Sequence, residues 1–329
     1  MSTLLQKNVF FIFLVFSSLN AAPCENKVTY RLSGGRFGDN LLAYMHAKWV
    51  SYRYGMPLIY QDFPYAEELM LEKYEEKTDP SCLKQKIFKQ RDGIDAFIDS
   101  LECETLCIVP YFPESFYELS IEPSFSYFRV NWENSEFKAI LKKMITSKKE
   151  MKRLSLPQGR ISVALHIRRG PGFDGGYDSL LSTKSSFPLK FPSEHFYMNA
   201  IKHLCAVFKT APLYIHVFTD DIVPLSLLNR FKMEFKDYDI LWGCRETGNH
   251  WCSNVLEDFF ALTEFDCSIH GESNFPLSAG KIADYQIEIM PMTFHWEGLD
   301  AVVDNVILFG NNKKIISEYE SLMHLNFIN

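Results

Sequence analysis

The sequence lacks an excess of positive charge, and this absence excludes one class of function. Its 329 residues contain 34 Lys and Arg against 41 Asp and Glu, which gives a formal net charge of -7. Proteins that bind nucleic acid carry a basic surface, and no basic run stands out here, so we expect no nucleic acid partner. An anionic ligand would need a local group of cations, because the overall charge repels it.

The sequence also lacks an apolar run of the roughly 20 residues that span a bilayer. The apolar run 9–16 follows Lys7 and precedes a stretch of small residues that ends at Ala22. This order is typical of a secretory signal peptide. We therefore predict a signal peptide, or a short signal-anchor, over residues 1–22. The protein would then lie in the lumen of the secretory pathway, or be secreted, or associate with a membrane through its N-terminus; a cytosolic protein whose first element is apolar is the remaining alternative.

Several short motifs of metal and phosphate chemistry are missing. The eight Cys residues include no Cys-x-x-Cys pair, so we predict no metal site. Their even number permits disulfides, and Cys103 with Cys107, or Cys244 with Cys252, are close enough in sequence to pair; buried free thiols are the alternative. No P-loop and no Arg-His-Gly motif occurs, which argues against a phosphohydrolase that uses His166.

What is present begins with a strand, a Gly-rich turn, a helix and a second strand. Residues 28–32 alternate as a strand does, residues 33–38 form the turn, apolar residues recur at helical spacing over 41–52, and residues 58–60 are the next strand. This order within about 30 residues is typical of a βαβ unit.

The charged stretch 148–153, before Pro157 and Gly159, is the best candidate for a domain boundary. Repeated alternation of strands and helices follows it, which is typical of parallel sheets with helices on both faces. The predicted fold class is therefore α/β, with two Rossmann-like domains, 24–155 and 156–310, facing a cleft. The predicted elements are helical stretches 67–76 and 137–154, strands 161–167, 213–218, 266–270 and 286–290, helices 193–208, 225–235, 254–265 and 275–284, a hydrophobic run 302–309 and a terminal helix within 311–329.

The segment 161–170 carries the clearest chemical signal. Its period of two places Ile161, Val163, Leu165 and Ile167 on one face of a strand, and places His166 and Arg168 on the other face near its carboxyl end. In open α/β sheets the ligand crevice lies beyond that end. Arg168 and Arg169 would form a fork that binds a diphosphate through charge-assisted hydrogen bonds. A solvated arginine pair is the alternative.

This segment resembles the first motif of the fucosyltransferase superfamily, which includes the α-1,2-, α-1,6- and protein O-fucosyltransferases. Three further segments are similar to motifs of that group and occur in the same order. Residues 34–40 resemble its N-terminal Gly-rich loop, residues 218–221 its Phe-Ser-Asp-Asp strand end, and 257–262 with 272–278 its acidic helix and Ser-x-Phe-Ser helix start. The resemblance implies a GT-B fold and inverting transfer from GDP-fucose, without an obligatory metal or other cofactor, to a glycan or protein hydroxyl.

The resemblance also implies roles for individual residues and halves. The acceptor would be bound by 24–155 and the nucleotide sugar by 156–310, with Arg168 and Arg169 on its phosphates. Ser273 and Asn274 would begin a helix whose free N–H groups face a phosphate, ordinary N-capping being the alternative. Asp220, Asp221 and Asp258 would bind guanine or ribose, or would merely end a strand and begin a helix. The remaining predicted donor-site residues are Gly35, Gly38, Asn40, His166 and Phe275.

Transfer to a hydroxyl requires a general base. Asp174, in a Gly-flanked loop after the arginine pair, is the first candidate and Asp39 is the second; a solvated loop acid is the alternative for each. The sequence departs from the family in two places. Pro171 stands where the family usually has an acidic residue, and Asp39 stands where it has Asn. These departures also allow a secreted carbohydrate-binding protein that has kept the fold and lost catalysis.

Overall fold

The computed structural model describes residues 25–77, 81, 83–89, 93–112, 128–169, 188–209, 211–297, 300–309 and 316–317. The predicted signal peptide and Asp174 lie outside these residues. The strands are β1 (Lys27–Tyr30), β2 (Lys84–Ile87), β3 (Thr105–Val109), β4 (Ile161–Ile167), β5 (Leu213–Thr219), β6 (Ile240–Cys244), β7 (Cys267–His270), β8 (Ile287–Glu297), β9 (Asp300–Phe309) and β10 (Ile316–Ser317). The helices are α1 (Phe37–Tyr54), α2 (Leu71–Tyr74), α3 (Ile94–Asp99), α4 (Ser135–Met144), α5 (Glu194–Phe208), α6 (Pro224–Glu234), α7 (Val255–Leu262) and α8 (Asn274–Ile282).

The first sheet has three described strands in the order β1-β3-β2, all parallel. Residues 58–60, predicted as a strand, contribute only an isolated bridge between Val28 and Leu58 and another at Ile59. Helix α1 connects β1 to this segment and is buried along most of its length. It ends at Gly55, whose left-handed backbone (φ 65°) lets its N–H return to the Ser51 carbonyl.

The second sheet has seven described strands in the order β10-β9-β8-β7-β4-β5-β6. The strands from β6 to β8 are parallel, whereas β8, β9 and β10 pair antiparallel. The chain runs outward from β4 to β5 and β6, and then crosses back to place β7 on the other side of β4. The order of the strands therefore reverses between β4 and β7. This reversal is the topological switch point at which α/β sheets bind ligands.

Two hydrophobic cores lie on opposite faces of the second sheet. Val163, Leu165 and Ile167 belong to the core formed with α5 and α6. Ala164, on the opposite face of β4, belongs to a larger core that contains α1 and the first sheet. Residues of α7 and α8 pack into this same larger core, so the two halves of the chain share it. The division of the chain into domains at 155 stays a prediction.

Several predicted elements differ from those observed. The helix predicted over 137–154 ends at Met144, and the stretch 67–76 contains only a 3-10 turn, Ala66–Glu68, and the short helix α2. The strand predicted over 286–290 continues to Glu297, because β8 forms a hairpin with β9. The terminal helix is wrong at Ile316 and Ser317, which form strand β10. The remainder of 311–329 lies outside the described residues.

The state of the Cys residues tests the predicted disulfides, and the helices can be tested for a membrane span. Cys107, Cys244 and Cys252 are free, so neither of the two predicted disulfides is present, although Cys103 is disulfide-bonded. Burial raises the pKa of the Cys107 thiol to about 12. Among the helices in the described part of the chain, none has both the length and the hydropathy needed to cross a bilayer.

Candidate functional site

Arg168 follows β4 directly, at the switch point of the second sheet. As predicted, β4 runs from Ile161 to Ile167 and directs its large aliphatic side chains into one core, so that His166 and Arg168 lie on the other face. Arg168 is buried, with 8% of its surface exposed. Its guanidinium lies 5.1 Å from the centre of the Phe191 ring, a cation–π distance that orients the group.

The environment of the Arg169 side chain differs from that of Arg168. Its guanidinium forms an ion pair with Glu194, the first residue of α5, and only 8% of its side chain is exposed. Glu194 also accepts hydrogen bonds from Arg230 at 2.9 and 2.7 Å. Burial raises the pKa of Glu194, but the bonds from Arg230 and Arg169 outweigh burial and hold that pKa below its ordinary value. The Arg169 side chain is therefore engaged by a carboxylate, and the predicted fork with Arg168 stays untested as a phosphate site.

The start of helix α8 lies beside the neighbouring strand end, after β7. Ser273 is the N-cap in extended conformation, and its side chain makes no capping hydrogen bond. Asn274 and Phe275 supply the first two N–H groups of the helix, and Pro276 supplies none. The Phe275 ring lies 5.8 Å from the His166 ring, so the structure brings together these two predicted residues.

The Gly-rich turn before α1 packs against this helix start. A Cβ atom on Gly38 would lie 2.6 Å from the Asn274 carbonyl carbon and the Phe275 nitrogen. Gly38 is therefore required for a close backbone contact between α1 and α8, and its predicted place in the donor site stays a prediction. A Cβ on Gly35 would lie 2.6 Å from the Asp39 carboxyl carbon, so a larger residue there would displace the Asp39 side chain.

Asp39 and Asn40 are both engaged within the protein. Asp39 accepts a hydrogen bond from the Arg36 N–H through Oδ2 (3.0 Å) and one from the Asn274 side chain through Oδ1 (2.7 Å). Asn274 Nδ2 also donates to the Tyr111 hydroxyl at 2.8 Å. The Asn40 amide is buried and donates to the Gly35 carbonyl at 3.1 Å, which holds the turn closed. These contacts tie the Gly-rich turn to the start of α8.

Arg36 is a cation of this site that the sequence did not predict. Its guanidinium lies 5.5 Å from the centre of the Trp251 ring, which is 44% exposed. The charges of Arg168 and Arg36 both lower the pKa of His166. The only sign of Arg36 in the sequence is its position inside the Gly-rich turn.

His166 is neutral at physiological pH. Burial is the largest cause, and the neighbouring His270, Arg168 and Arg36 add to it; together they lower the pKa of His166 to about 3. Its Nδ1 atom is buried without a hydrogen-bond partner in the described part of the chain. His166 therefore adds no positive charge to the crevice, and its ring contributes an acceptor or donor nitrogen and a flat surface beside Phe275.

The three predicted acids of the donor site have partners within the protein. Asp220 accepts a hydrogen bond of 2.6 Å from the Arg169 N–H, and Asp221 accepts one of 2.8 Å from the Val223 N–H. Asp258 forms a 2.6 Å ion pair with Arg245, which follows β6. Burial raises the pKa of Asp258, an effect that the bond from Arg245 opposes. Their predicted contacts with guanine or ribose stay predictions.

The first candidate for the general base, Asp174, lies outside the described residues. Within the described ranges, no group of three or more His, Cys, Asp or Glu side chains is placed to hold a metal ion. The fold is that of an α/β protein of the Rossmann-like kind, and the buried Arg168 lies at the switch point of its larger sheet.

No family model and no curated protein matches the sequence. Solved structures do match. A point mutant of FUT1 from Arabidopsis thaliana in complex with GDP is 10% identical to this chain. The match covers 85% of this chain and 74% of the FUT1 chain, with a TM-score of 0.50. NodZ α-1,6-fucosyltransferase soaked with GDP-fucose is 14% identical; the match covers 87% of this chain and 99% of NodZ, with a TM-score of 0.44. POFUT1 in complex with GDP-fucose is 11% identical; the match covers 81% of this chain and 96% of POFUT1, with a TM-score of 0.42. The predicted α/β fold with parallel sheets is confirmed, and it is the fold of FUT1.

Proposed function

We propose that this protein is a glycosyltransferase that moves fucose from GDP-fucose to a hydroxyl group of a glycan or protein, with inversion and without a metal. The observation that carries the proposal is the buried Arg168 at the switch point of the second sheet, with His166 just before it and the start of α8 beside them, where the Phe275 ring lies 5.8 Å from the His166 ring. FUT1, whose fold the chain shares, was crystallised with GDP, which is a ligand of the class that such a crevice would bind.

The transfer reaction requires positive charge beside the β-phosphate of the leaving GDP. The acceptor oxygen forms a bond to the anomeric carbon, the bond from that carbon to the β-phosphate oxygen breaks, and GDP leaves with one more negative charge. Groups that bind this charge more tightly in the transition state than in the substrate accelerate the reaction. In a protein of net charge -7, Arg168 and Arg36 supply local cations, and the Asn274 and Phe275 N–H groups begin a helix whose positive end favours phosphate.

The buried surroundings of Arg168 strengthen its effect. The Phe191 ring lies over its guanidinium and only 8% of the residue is exposed, so little water screens its charge. Arg169 would act indirectly, because its ion pair with Glu194 and its N–H bond to Asp220 fix the backbone next to Arg168.

The acceptor proton must leave with a base. We propose Asp174 for this role, because both carboxylate oxygens of Asp39 already accept hydrogen bonds inside the protein. Asp39 would instead hold the two halves in register at the donor phosphate. Asp220, Asp221 and Asp258 would support the nucleotide end through the loops that they fix.

The test is a donor screen with GDP-fucose, GDP-mannose and UDP-sugars, read out as nucleotide release, together with calorimetric measurement of GDP binding. Arg168→Lys and Arg169→Lys form a matched pair, since each keeps the charge and removes the planar fork. We expect Arg168→Lys to reduce turnover about a hundredfold or more, the loss typical of one transition-state donor. Arg169→Lys should mainly lower stability. Equal turnover in Arg168→Lys and wild type would reject the assignment.

The same measurements separate the alternatives. Binding of GDP or a sugar without nucleotide release from any donor would indicate the carbohydrate-binding protein that has lost catalysis. Release of inorganic phosphate would indicate the phosphohydrolase. If the Asp174→Asn variant keeps its GDP affinity but loses turnover, the assignment of Asp174 as the general base is supported. Unchanged turnover in this variant would reject that assignment.

We also propose that the protein acts in the secretory pathway lumen, after removal of residues 1–22 or anchored by them. The basis is the apolar run 9–16 between Lys7 and Ala22. N-terminal sequencing of the secreted or membrane-bound protein would test this proposal, and an intact Met1 on a cytosolic protein would contradict it.

A further inference from the structure

A histidine and a glutamate that no step above uses are buried behind the start of α8. His270 ends strand β7 and is fully buried, and Glu288, on the neighbouring strand β8, is 7% exposed. His270 Nε2 lies 3.2 Å from Glu288 Oε1, and His270 Nδ1 lies 2.8 Å from the Gly271 carbonyl oxygen. Both ring nitrogens of His270 are therefore engaged.

The partners determine where the protons are. A carbonyl oxygen only accepts, so Nδ1 of His270 must carry the hydrogen that it donates to Gly271. The contact between Nε2 and Glu288 then holds one further proton, which bridges the imidazole and the carboxyl group. Glu288 thereby fixes the ring orientation that directs Nδ1–H at Gly271.

The Gly271 carbonyl is part of the turn that leads into α8. It also accepts a hydrogen bond of 2.8 Å from the Ser273 N–H, and the Glu272 N–H donates to the Leu189 carbonyl at 2.7 Å. A Cβ on Gly271 would lie 3.0 Å from Pro192. The turn is thus held between His270 on one side and residues 189–192 on the other.

The His270–Glu288 pair requires a glycine in the neighbouring helix α8, and this glycine destabilises the helix. A Cβ atom on Gly280, in the middle of α8, would lie 2.5 Å from Glu288 Oε1. Glycine inside a helix destabilises it relative to alanine. An apolar pair would avoid both this cost and the desolvation of a buried carboxyl group. A functional role accounts for retaining the polar pair where packing alone does not.

We propose that His270 is a positioning residue for the donor phosphate, and that Glu288 orients it. Through the Gly271 carbonyl, His270 fixes the turn 271–273, and with it the direction in which the first N–H groups of α8 point. This inference rests on the proposed function, since it assigns the target of those N–H groups as a phosphate of the nucleotide. A supporting group of this kind maintains site geometry without touching the substrate.

Two substitutions at His270 separate its two bonds. The amide nitrogen of Asn can take the place of Nδ1, and that of Gln the place of Nε2. We expect His270→Gln, which keeps the contact with Glu288 and loses the bond to Gly271, to weaken GDP binding about tenfold. We expect His270→Asn to stay within about threefold of wild type, although both variants unfold more easily. Equal GDP affinities in the two variants would overturn the proposal, because a merely structural role does not distinguish them.

Two substitutions at Glu288 provide a second test in case either His270 variant misfolds. Glu288→Gln keeps the size and can donate to Nε2, so GDP affinity should remain within about threefold of wild type. Glu288→Met has a similar size and no hydrogen bond, so the His270 ring is released and GDP affinity should fall at least fivefold. Wild-type affinity in Glu288→Met would contradict the orienting role.

Hydrogen exchange of the ligand-free protein makes the result independent of the proposed function. The amides of Gly271, Glu272 and Ser273 should exchange faster in His270→Gln than in His270→Asn. If wild type binds neither GDP nor GDP-fucose, the proposed function fails, while the exchange rates still decide whether His270 positions the turn. Equal exchange in the two variants would reject the positioning role even if wild type binds GDP.

Discussion

Gly38→Ala is the substitution that most directly tests the contact between the two halves of the chain. The added Cβ would lie 2.6 Å from two backbone atoms, the Asn274 carbonyl carbon and the Phe275 nitrogen. Ordinary contacts between carbon atoms are near 3.5–4.0 Å, so α1 and α8 would have to separate by about 1 Å. Neither neighbour is the flexible end of a side chain, and the movement must therefore involve a helix.

Overpacking of this kind costs about 1–3 kcal/mol. The displaced atoms also include the first N–H groups of α8, so we expect GDP affinity to fall about tenfold or more. The assays are urea unfolding followed by tryptophan fluorescence and calorimetric titration with GDP. The fluorescence reporter is suitable because the chain has five Trp residues.

Gly93→Ala is the matched control. A Cβ on Gly93 meets nothing within 4 Å, and its backbone angle φ is -45°, which any residue adopts. We expect its stability to stay within about 1 kcal/mol of wild type, because lower unfolded-state entropy opposes the modest loss of a favourable N-cap, and its GDP affinity to be unchanged. If Gly38→Ala behaves like Gly93→Ala in both assays, the contact between α1 and α8 has been assigned wrongly.

Three further predictions concern single side chains. Asp39→Ala should lower the free energy of unfolding by about 2 kcal/mol, the value of a charge-assisted hydrogen bond, while Asp39→Asn keeps at least about a tenth of turnover; a loss of a hundredfold or more at unchanged stability would make Asp39 the base. Because the pKa of His166 is lowered from 6.5 to about 3, the folded state binds fewer protons than the unfolded state in that window. The free energy of unfolding should therefore decrease as pH falls from 6.5 toward 3, and less so in His166→Phe; parallel pH curves would refute this. Cys252 is exposed and free, so it should react with a thiol reagent well before Cys107 and Cys267, whose pKa burial raises to about 12; simultaneous reaction would contradict the burial.

In the second half of the chain, the central strands β4, β5 and β7 were predicted from the sequence because they are largely buried on both faces, whereas the half-exposed edge strand β6 was not predicted. Strand β4 was predicted over 161–167 and is observed over the same residues, and helix α5 begins one residue later than predicted. Strands β2 and β3 were missed for opposite reasons. Lys84–Ile87 is largely exposed and charged, whereas Thr105–Val109 is short and lies among Cys and Pro residues that interrupt the pattern.

In the candidate site, the position of Arg168 was predictable from the sequence, and the contacts of the other residues were less so. The position of Arg168 follows from the period of β4 and from the rule for strand ends. The commitment of Arg169 to Glu194, 25 residues further along, does not follow from either. The roles of Gly38 and Asp39 depend on Asn274, which is 235 residues away from Asp39. The period of β4 places Arg169 on the face opposite Arg168, but it does not identify Glu194 as the carboxylate that Arg169 meets.

The core shared by the two halves has a consequence for synthesis on the ribosome. The core that buries α1 and the first sheet also contains Phe259, Ile282 and Tyr285. Domains generally fold as units, the N-terminal one first, as the chain emerges. Here the N-terminal part of the chain is complete only after residue 285 has emerged, so its apolar surface stays open during most of translation. We therefore expect a fragment that stops near residue 155 to aggregate or to bind chaperones rather than fold.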